Sequence, residues 1–416
     1  MNREQLRQAL TTSIEANDKQ IFKPYIIALI AVGVVGFMVG MLAGEIQQVM
    51  QAYLINFVFW IGIAQGAVIL SVVLRLTNAK WGRPIMRIAE SASAFLPVTI
   101  LLFIIIMLGG EKLFIWINEP VAHKAIYLNA PFMYSRVLVS LLLMTGLSLF
   151  YVRNSVRNDL AAIYHGKLVP ERFRKLLTNY DVSRIEKSND KQTTLSVILA
   201  ICYAVCYSFL AIDLIMSLDP HWVSTLFGAY YFIGSFYIGI AFTIIMASYF
   251  IERPEGKIIG SKQFHDLGKL LFGFAIVNGD FFYSQFLVIW YGNLPEETHY
   301  IIERTQHEPW ATMAYIVLLL SFVAPFIILI NKKIKMNTVA MRWVSIGILL
   351  GIWLERTLLI APSVSGNTSF PIVWIQITIT LGFLGIIVTS IKYFWSKYPM
   401  VVYGDPLLKH SLEGEK

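Results

Sequence analysis

Of 416 residues, 56% are hydrophobic and only 14% charged, against roughly a quarter charged in ordinary soluble domains. That excludes a water-soluble globular protein, and with spans of about 20 residues each it leaves no room for a sizeable soluble domain. The net charge of +8 resides in loops, so it gives no reason to invoke nucleic acid and some reason to expect attraction to anionic lipids.

The first 24 residues mix both signs of charge (Arg3, Glu4, Arg7, Glu15, Asp18, Lys19, Lys23). No small-residue cleavage site follows the next apolar run, so that run reads as a true span rather than a leader. Apolar stretches at 25–44, 53–76, 91–110, 132–152, 194–217, 222–249, 267–291, 310–330, 341–361 and 371–395 predict ten transmembrane helices and an all-α polytopic membrane protein. The chain therefore divides into an N-terminal segment (1–24), spans one to four (25–152), a basic loop (153–193), spans five to ten (194–395) and a tail (396–416). Cations crowd the loops after the even-numbered spans, nine of them between Arg153 and Lys191, whereas the loops on the other side hold only Lys112, Lys124 and Arg304. By the positive-inside rule both termini are cytoplasmic. Within the long basic loop, Val169–Leu177 is amphipathic and reads as an interfacial helix. The connection 293–309 is acidic, with Glu296, Glu297, Glu303 and Glu308, which suits solubility or a periplasmic partner.

Gly36, Gly40 and Gly44 repeat every four residues in the first span, a face on which a second helix can approach closely, from this chain or from another subunit. Trp81, Trp116, Trp222, Trp290, Trp310, Trp343, Trp374 and Trp395 fall near span ends, as interfacial belts do. Cys202 and Cys206 lie in an apolar run and read as packing residues.

For chemistry, histidine positions matter first, because haem within a bilayer is commonly held between histidines on facing helices. His123, His165, His221, His265, His299, His307 and His410 all lie outside the middle of the spans, so no haem and no iron–sulfur cluster is expected in this chain. Ionisable groups inside spans, each costing at least ~2.5–3.5 kcal/mol at the bilayer centre, are then the candidates: Asp213, Asp280, Glu355 and Arg356. Adjacent residues diverge by about 100° on a helix, so Glu355 and Arg356 are expected to pair with different helices. Arg136 and Glu90 begin spans and read as snorkelling side chains. In Leu218-Asp219-Pro220-His221-Trp222, Asp219 and Pro220 suit a helix start, which leaves the imidazole of His221 free to exchange protons at the outer face. Lys269, Gly273, Ile276, Asp280 and Ser284 recur on one face of the seventh span behind His265 and Asp266. They read as an inner proton half-channel ending at Asp280, with Asp213, Glu355 and His221 as the outer half.

Three strings together, Ala79-Lys-Trp-Gly-Arg-Pro-Ile-Met-Arg-Ile-Ala-Glu90, Met216-Ser-Leu-Asp-Pro-His-Trp-Val-Ser-Thr-Leu-Phe-Gly228 and Tyr283-Ser-Gln-Phe-Leu-Val-Ile-Trp-Tyr-Gly-Asn-Leu-Pro-Glu-Glu297, resemble the NrfD/PsrC-like membrane subunits of bacterial alternative complex III, those of the ActF type. The resemblance implies two four-helix bundles, spans two to five and six to nine, with the first and last spans peripheral. It also implies a complex oxidising menaquinol or ubiquinol, in which an ActC-like NrfD-family membrane subunit, a periplasmic iron–sulfur subunit, multihaem cytochrome c subunits and small membrane anchors accompany this chain. Haem c and iron–sulfur clusters then belong to those partners. The leading expectation is a cofactor-free subunit of the bacterial inner membrane that helps move protons. Two alternatives stand beside it: direct quinol binding by Asp213 with Arg356, and an ion-coupled secondary transporter, against which stands the lack of evident broken helices in matched halves.

Overall fold

The computed structural model describes residues 23–164, 173, 176–177, 185–365, 371–402, 404–405 and 407–408. Among these, ten helices are long and apolar enough to cross a membrane: α1 (Pro24–Leu42), α2 (Ile46–Leu76), α3 (Arg83–Lys112), α4 (Ala130–Ala162), α5 (Ser188–Leu218), α6 (Phe227–Phe250), α7 (Ser261–Gly292), α8 (Trp310–Ile330), α9 (Thr338–Ser365) and α10 (Val373–Lys397). The expected all-α polytopic architecture is observed. Several helices outrun their apolar stretches, α2 beginning at Ile46 and α3 at Arg83. Hydropathy marks only the length that crosses hydrocarbon, while the helix continues through polar turns buried in protein. Of the expected interfacial helix Val169–Leu177, only Phe173, Leu176 and Leu177 lie within the described residues.

Helices α2 to α5 pack in a closed ring, α6 to α9 form a second, and α1 pairs with α10 at the edge against α2 and α3. This is the two-bundle arrangement that the resemblance implies. The bundles meet where α2 crosses α6, with α5 and α9 flanking. Helix α2 is apolar all round and 94% buried over its most hydrophobic window, which makes it the axis of the molecule. Its Gly62 and Gly66 face Ser235 and Gly239 of α6 so closely that a Cβ on Gly66 would strike the Ser235 carbonyl, and one on Gly239 the backbone of Gly66. This is backbone-to-backbone packing through small residues at four-residue spacing. Tyr231 and Tyr207 hydroxyls then donate to the carbonyls of Val58 (2.8 Å) and Ile61 (3.1 Å) on α2.

The glycine face of α1 is also filled from within the chain. Gly33 abuts Gly382, Gly36 abuts Thr378, and Gly40 abuts Val49 and Ile375, so the inter-subunit alternative for this face is corrected to α1/α10 packing. Gly44 takes no part in it. With φ +84° it forms the turn into α2, a conformation that suits glycine. The tryptophan belt is partly corrected as well: Trp290, Trp343 and Trp374 are exposed, but Trp116, Trp222, Trp310 and Trp395 are buried in protein.

Among the described residues, α3 of the first bundle and α8 of the second are interrupted where unbroken helices were expected. A 3-10 segment, Ala92–Phe95, precedes Pro97 in α3, and a π turn, Leu319–Val323, precedes Pro325 in α8. Proline lacks the N–H that would bond four residues back. In α8 the Ser321 carbonyl so freed accepts from the Tyr237 hydroxyl at 3.0 Å.

Replacing Gly66 by Leu should wedge the bundles apart, because backbone rather than a movable side chain stands in the way; overpacking of this kind costs about 1–3 kcal/mol or more. Thermal unfolding in detergent should show a clear fall for Gly66→Leu and none for Gly146→Ala, whose Cβ would meet open space.

Candidate functional site

Helix α4 sends a polar stripe down the inside of the first bundle. Arg136, Ser140, Ser148, Tyr151, Ser155 and Asp159 recur at steps of three, four and eight residues, and all but Arg136 are buried. At the end carrying Lys124 and Asp219, Asp213 of α5 is fully buried. Arg136 binds both of its oxygens, at 2.7 and 3.1 Å, donates to the Tyr127 carbonyl and lies over the Tyr127 and Phe132 rings. Arg136 therefore does not snorkel; the buried carboxylate holds it inside. Burial, reinforced by Asp213, pushes the Tyr127 phenol up to about 12. Midway, the Gln65 amide donates to Ser148 Oγ at 2.9 Å.

At the other end of the stripe a second ionic cluster is buried. Arg87 bonds Glu90 at 2.6 Å and Asp159 at 3.4 Å, Ser155 donates to Glu90 at 2.7 Å, and the backbone N–H of Gly404 caps Asp159. Asp405 in the tail meets Arg83 at 3.1 Å and Arg75 at 3.8 Å. Three arginines thus face three carboxylates, as buried charge requires. Glu90 is fully buried, which corrects its reading as a snorkelling residue.

In the second bundle Arg356 bonds its neighbour Glu355 at 2.9 Å. The expected pairing with different helices is corrected: long side chains bridge the 100° between adjacent positions. The Arg356 guanidinium sits 4.6 Å from the Tyr231 ring centroid. Gly234 leaves room here, since a Cβ on it would stand 3.0 Å from Arg356 Nη2 and 3.1 Å from Asn278 Oδ1. Both of these atoms, with Arg356 Nε and Glu355 Oε2, are buried with unused hydrogen-bonding capacity. The acidic connection contains a helix, Pro295–Thr305, which covers this end. Its Tyr300 stacks between Trp222 (3.8 Å) and the Arg304 guanidinium (3.3 Å). Arg304 spends its donors on the carbonyls of Leu358, Tyr300 and Leu359 and on Ser363 Oγ. Burial pushes the Tyr300 phenol up to about 12.

The other expected residues lie elsewhere. Asp280 is exposed on the outer surface of α7 and has no hydrogen bond or ion pair among the described residues. Lys269 is bound to Asp266 at 2.6 Å, while Ile276 is exposed and Ser284 partly so. The predicted inner half-channel is therefore a surface stripe on this chain, not an interior path aligned with Asp213 and Glu355. The apolar period of α7 is genuine, but its buried face carries Leu271, Ala275, Asn278, Gln285 and Ile289 instead. His221 is exposed as expected; its backbone N–H bonds Asp219 Oδ1 at 3.1 Å, so Asp219 caps a turn and α6 starts later, at Phe227. Beside it, a groove of about 250 Å³ is lined by Lys124, Tyr127, Leu128, Met216, Asp219 and Trp222, among others.

Sequence reasoning missed Arg83, Arg87, Asp159, Gln65 and Ser148. The signal was present in the helical spacing of polar residues along α4 and in Arg83, Arg87 and Glu90 at steps of four and three. Among the described residues, no group of three His, Cys, Asp or Glu side chains could hold a metal ion. The chain matches the family model described as polysulphide reductase, NrfD, over residues 28–365, and it belongs to that family. No curated protein matches it.

Replacing Arg136 by Leu strands Asp213 in the interior, a change that costs on the order of 3–5 kcal/mol when one partner of a buried pair is lost. The double variant Arg136→Leu/Asp213→Leu should recover most of that stability. Unfolding curves of the three proteins in detergent read both effects.

Proposed function

We propose, from membership in the NrfD family, that this chain is a cofactor-free membrane subunit of a quinol-oxidising respiratory complex of the alternative complex III kind, and that its first bundle carries protons across the membrane. NrfD-family proteins are membrane subunits of quinol-linked oxidoreductases and work beside iron–sulfur and other electron-transfer subunits. The finer assignment, with an ActC-like partner, a periplasmic iron–sulfur subunit and multihaem cytochromes carrying the electrons, draws its support from the three sequence strings and the two-bundle fold. The inner-membrane location and cytoplasmic termini draw theirs from the loop cations.

The observation that carries the proton reading is the enclosed stripe from Asp213 and Arg136, through Gln65 and Ser148, to Tyr151, Ser155, Glu90 and Asp159. Carboxylates at each end accept and release protons, and hydroxyls and an amide between them can donate and accept at once. Tyr127 stays protonated beside Asp213, so it serves as a donor and not a competing anion. The Glu355–Arg356 pair, with Asn278 and the covering helix, offers the second bundle a shorter path from the same end. A second reading, direct quinol binding, is favoured by the groove beside Lys124 and Asp219; there the residue next to Asp213 is Arg136, and Arg356 has Glu355 as its partner.

Removing the central relay tests the proposal without stranding a charge. In complex reconstituted into vesicles, Gln65→Leu/Ser148→Ala should cut the protons released per quinol oxidised severalfold, or slow both processes together if they are tightly coupled. Unchanged proton yield at unchanged turnover rejects the first bundle as the path.

Topology is tested separately in intact cells. A cysteine at the exposed His299 should react with an impermeant maleimide, and one at Lys333 should not; the reverse pattern inverts the orientation.

A further inference from the structure

On the outward face of α7 an ionisable side chain, Asp280, stands within the apolar span with no hydrogen-bond or ion-pair partner among the described residues. Leu267 and Tyr291 bound the apolar part of the helix, which puts Asp280 about 20 Å from one end and about 17 Å from the other at 1.5 Å per residue. It therefore lies near the hydrocarbon midplane. Gly273, Ile276, Asp280, Tyr283, Leu287 and Tyr291 fall within one narrow arc of the helix, opposite the buried Leu271, Ala275, Asn278 and Ile289. Along that arc Ile276 is 40%, Tyr283 59%, Leu287 40% and Tyr291 86% exposed, and nothing stands within 4 Å of where a Cβ on Gly273 would be. The nearest cation on the same face, Lys269, is held by Asp266 at 2.6 Å and lies about 17 Å away along the helix, too far to neutralise Asp280.

A carboxylate facing lipid at this depth costs several kcal/mol, and such groups sit against protein or a wet cavity. We propose that this face of α7 is the docking surface for a membrane-spanning helix of a different subunit, which brings a lysine, arginine or histidine to Asp280. Charge complementarity selects that occupant. A second copy of this chain presenting the same face would set two carboxylates together, and a lipid chain offers no donor. Gly273 leaves a notch for the incoming helix, and Tyr283 and Tyr291 supply broad aromatic contact around a single polar anchor. The inference requires only that the chain works within a membrane assembly; it does not depend on protons passing through the first bundle.

The test uses the tagged full chain purified with its complex from native membranes. Asp280→Leu should leave unfolding of the isolated chain in detergent unchanged, since no internal contact is lost. It should lower the recovery of one co-purifying membrane subunit by about thirtyfold or more, the lower range for losing one partner of a desolvated charge pair, while Asp280→Asn, which can still hydrogen-bond, keeps part of it. Independently, a photoreactive benzoylphenylalanine at Tyr283 should crosslink to a span of that subunit within about one turn of a basic residue. Full recovery of every subunit with Asp280→Leu overturns the proposal. So does crosslinking of Tyr283 only to lipid, or to a second, isotopically distinguished copy of this chain, and this arm decides the matter even if Asp280→Leu fails to fold.

Discussion

Everything in this fold depends on how closely α2 and α6 approach. In a bilayer there is little hydrophobic force between helices, so association rests on van der Waals contact and hydrogen bonds made at short range. Gly62 and Gly66 opposite Ser235 and Gly239 bring the two backbones together, and that proximity lets Tyr231 of α6 reach the Val58 carbonyl of α2, beside the bond that Tyr207 of α5 makes to Ile61. Tyr231 in turn gives Arg356 an aromatic surface. A longer interhelical distance would lose the Tyr231 bond and leave the Arg356 guanidinium with less to rest on. The small residues thus act on the candidate site without touching it.

The second organising constraint is neutralisation of buried charge. At one end of the first bundle Asp213 is matched by Arg136; at the other, Arg75, Arg83 and Arg87 are matched by Glu90, Asp159 and Asp405. The last of these comes from the tail, so Gly404 and Asp405 close the base of a bundle whose last helix, α5, ends at Leu218. Leaving any one partner out would expose an uncompensated buried ion. Replacing whole pairs by apolar residues is often neutral or stabilising, so stability alone gives weak reason for this chain to keep them.

How much of this was legible in the sequence follows from the length scale of each signal. Hydropathy over twenty residues is a summed property, and it located all ten spans. The positions at which helices face one another depend on rotation about each axis, which a uniformly apolar helix such as α2 does not encode. Hence Gly36 and Gly40 were recognisable as a packing face but not assignable to α10, while Gly62 and Gly66, with the same spacing, escaped notice in the most apolar run of the chain. Glu90 and Arg136 were misread because they stand near span ends, where a long side chain ordinarily finds water; only the tertiary packing reveals that both ends of the first bundle are closed. The Pro295–Thr305 helix carried readable marks, proline at its first turn, acids at its start and Arg304 at its end, but the excess of glutamates drew attention to charge instead of to capping.

The two stripes of ionisable residues, on α4 and on α7, have similar periodicity and opposite surroundings. On α4 the buried Ser148, Tyr151, Ser155 and Asp159 meet partners from α2, α3 or the tail, so the bundle itself sets the order of donors and acceptors. On α7 the interior face is taken by Leu271, Asn278 and Gln285, and Asp280 is turned away from all nine other spans. Periodicity shows that polar residues share a face; it does not say whether that face looks into the protein or out of it. A charged stripe whose enclosing helices all belong to one chain can conduct without help from a neighbour. One that is open along its length becomes part of an interior only when another chain covers it, and so its chemistry belongs to the assembly rather than to the subunit.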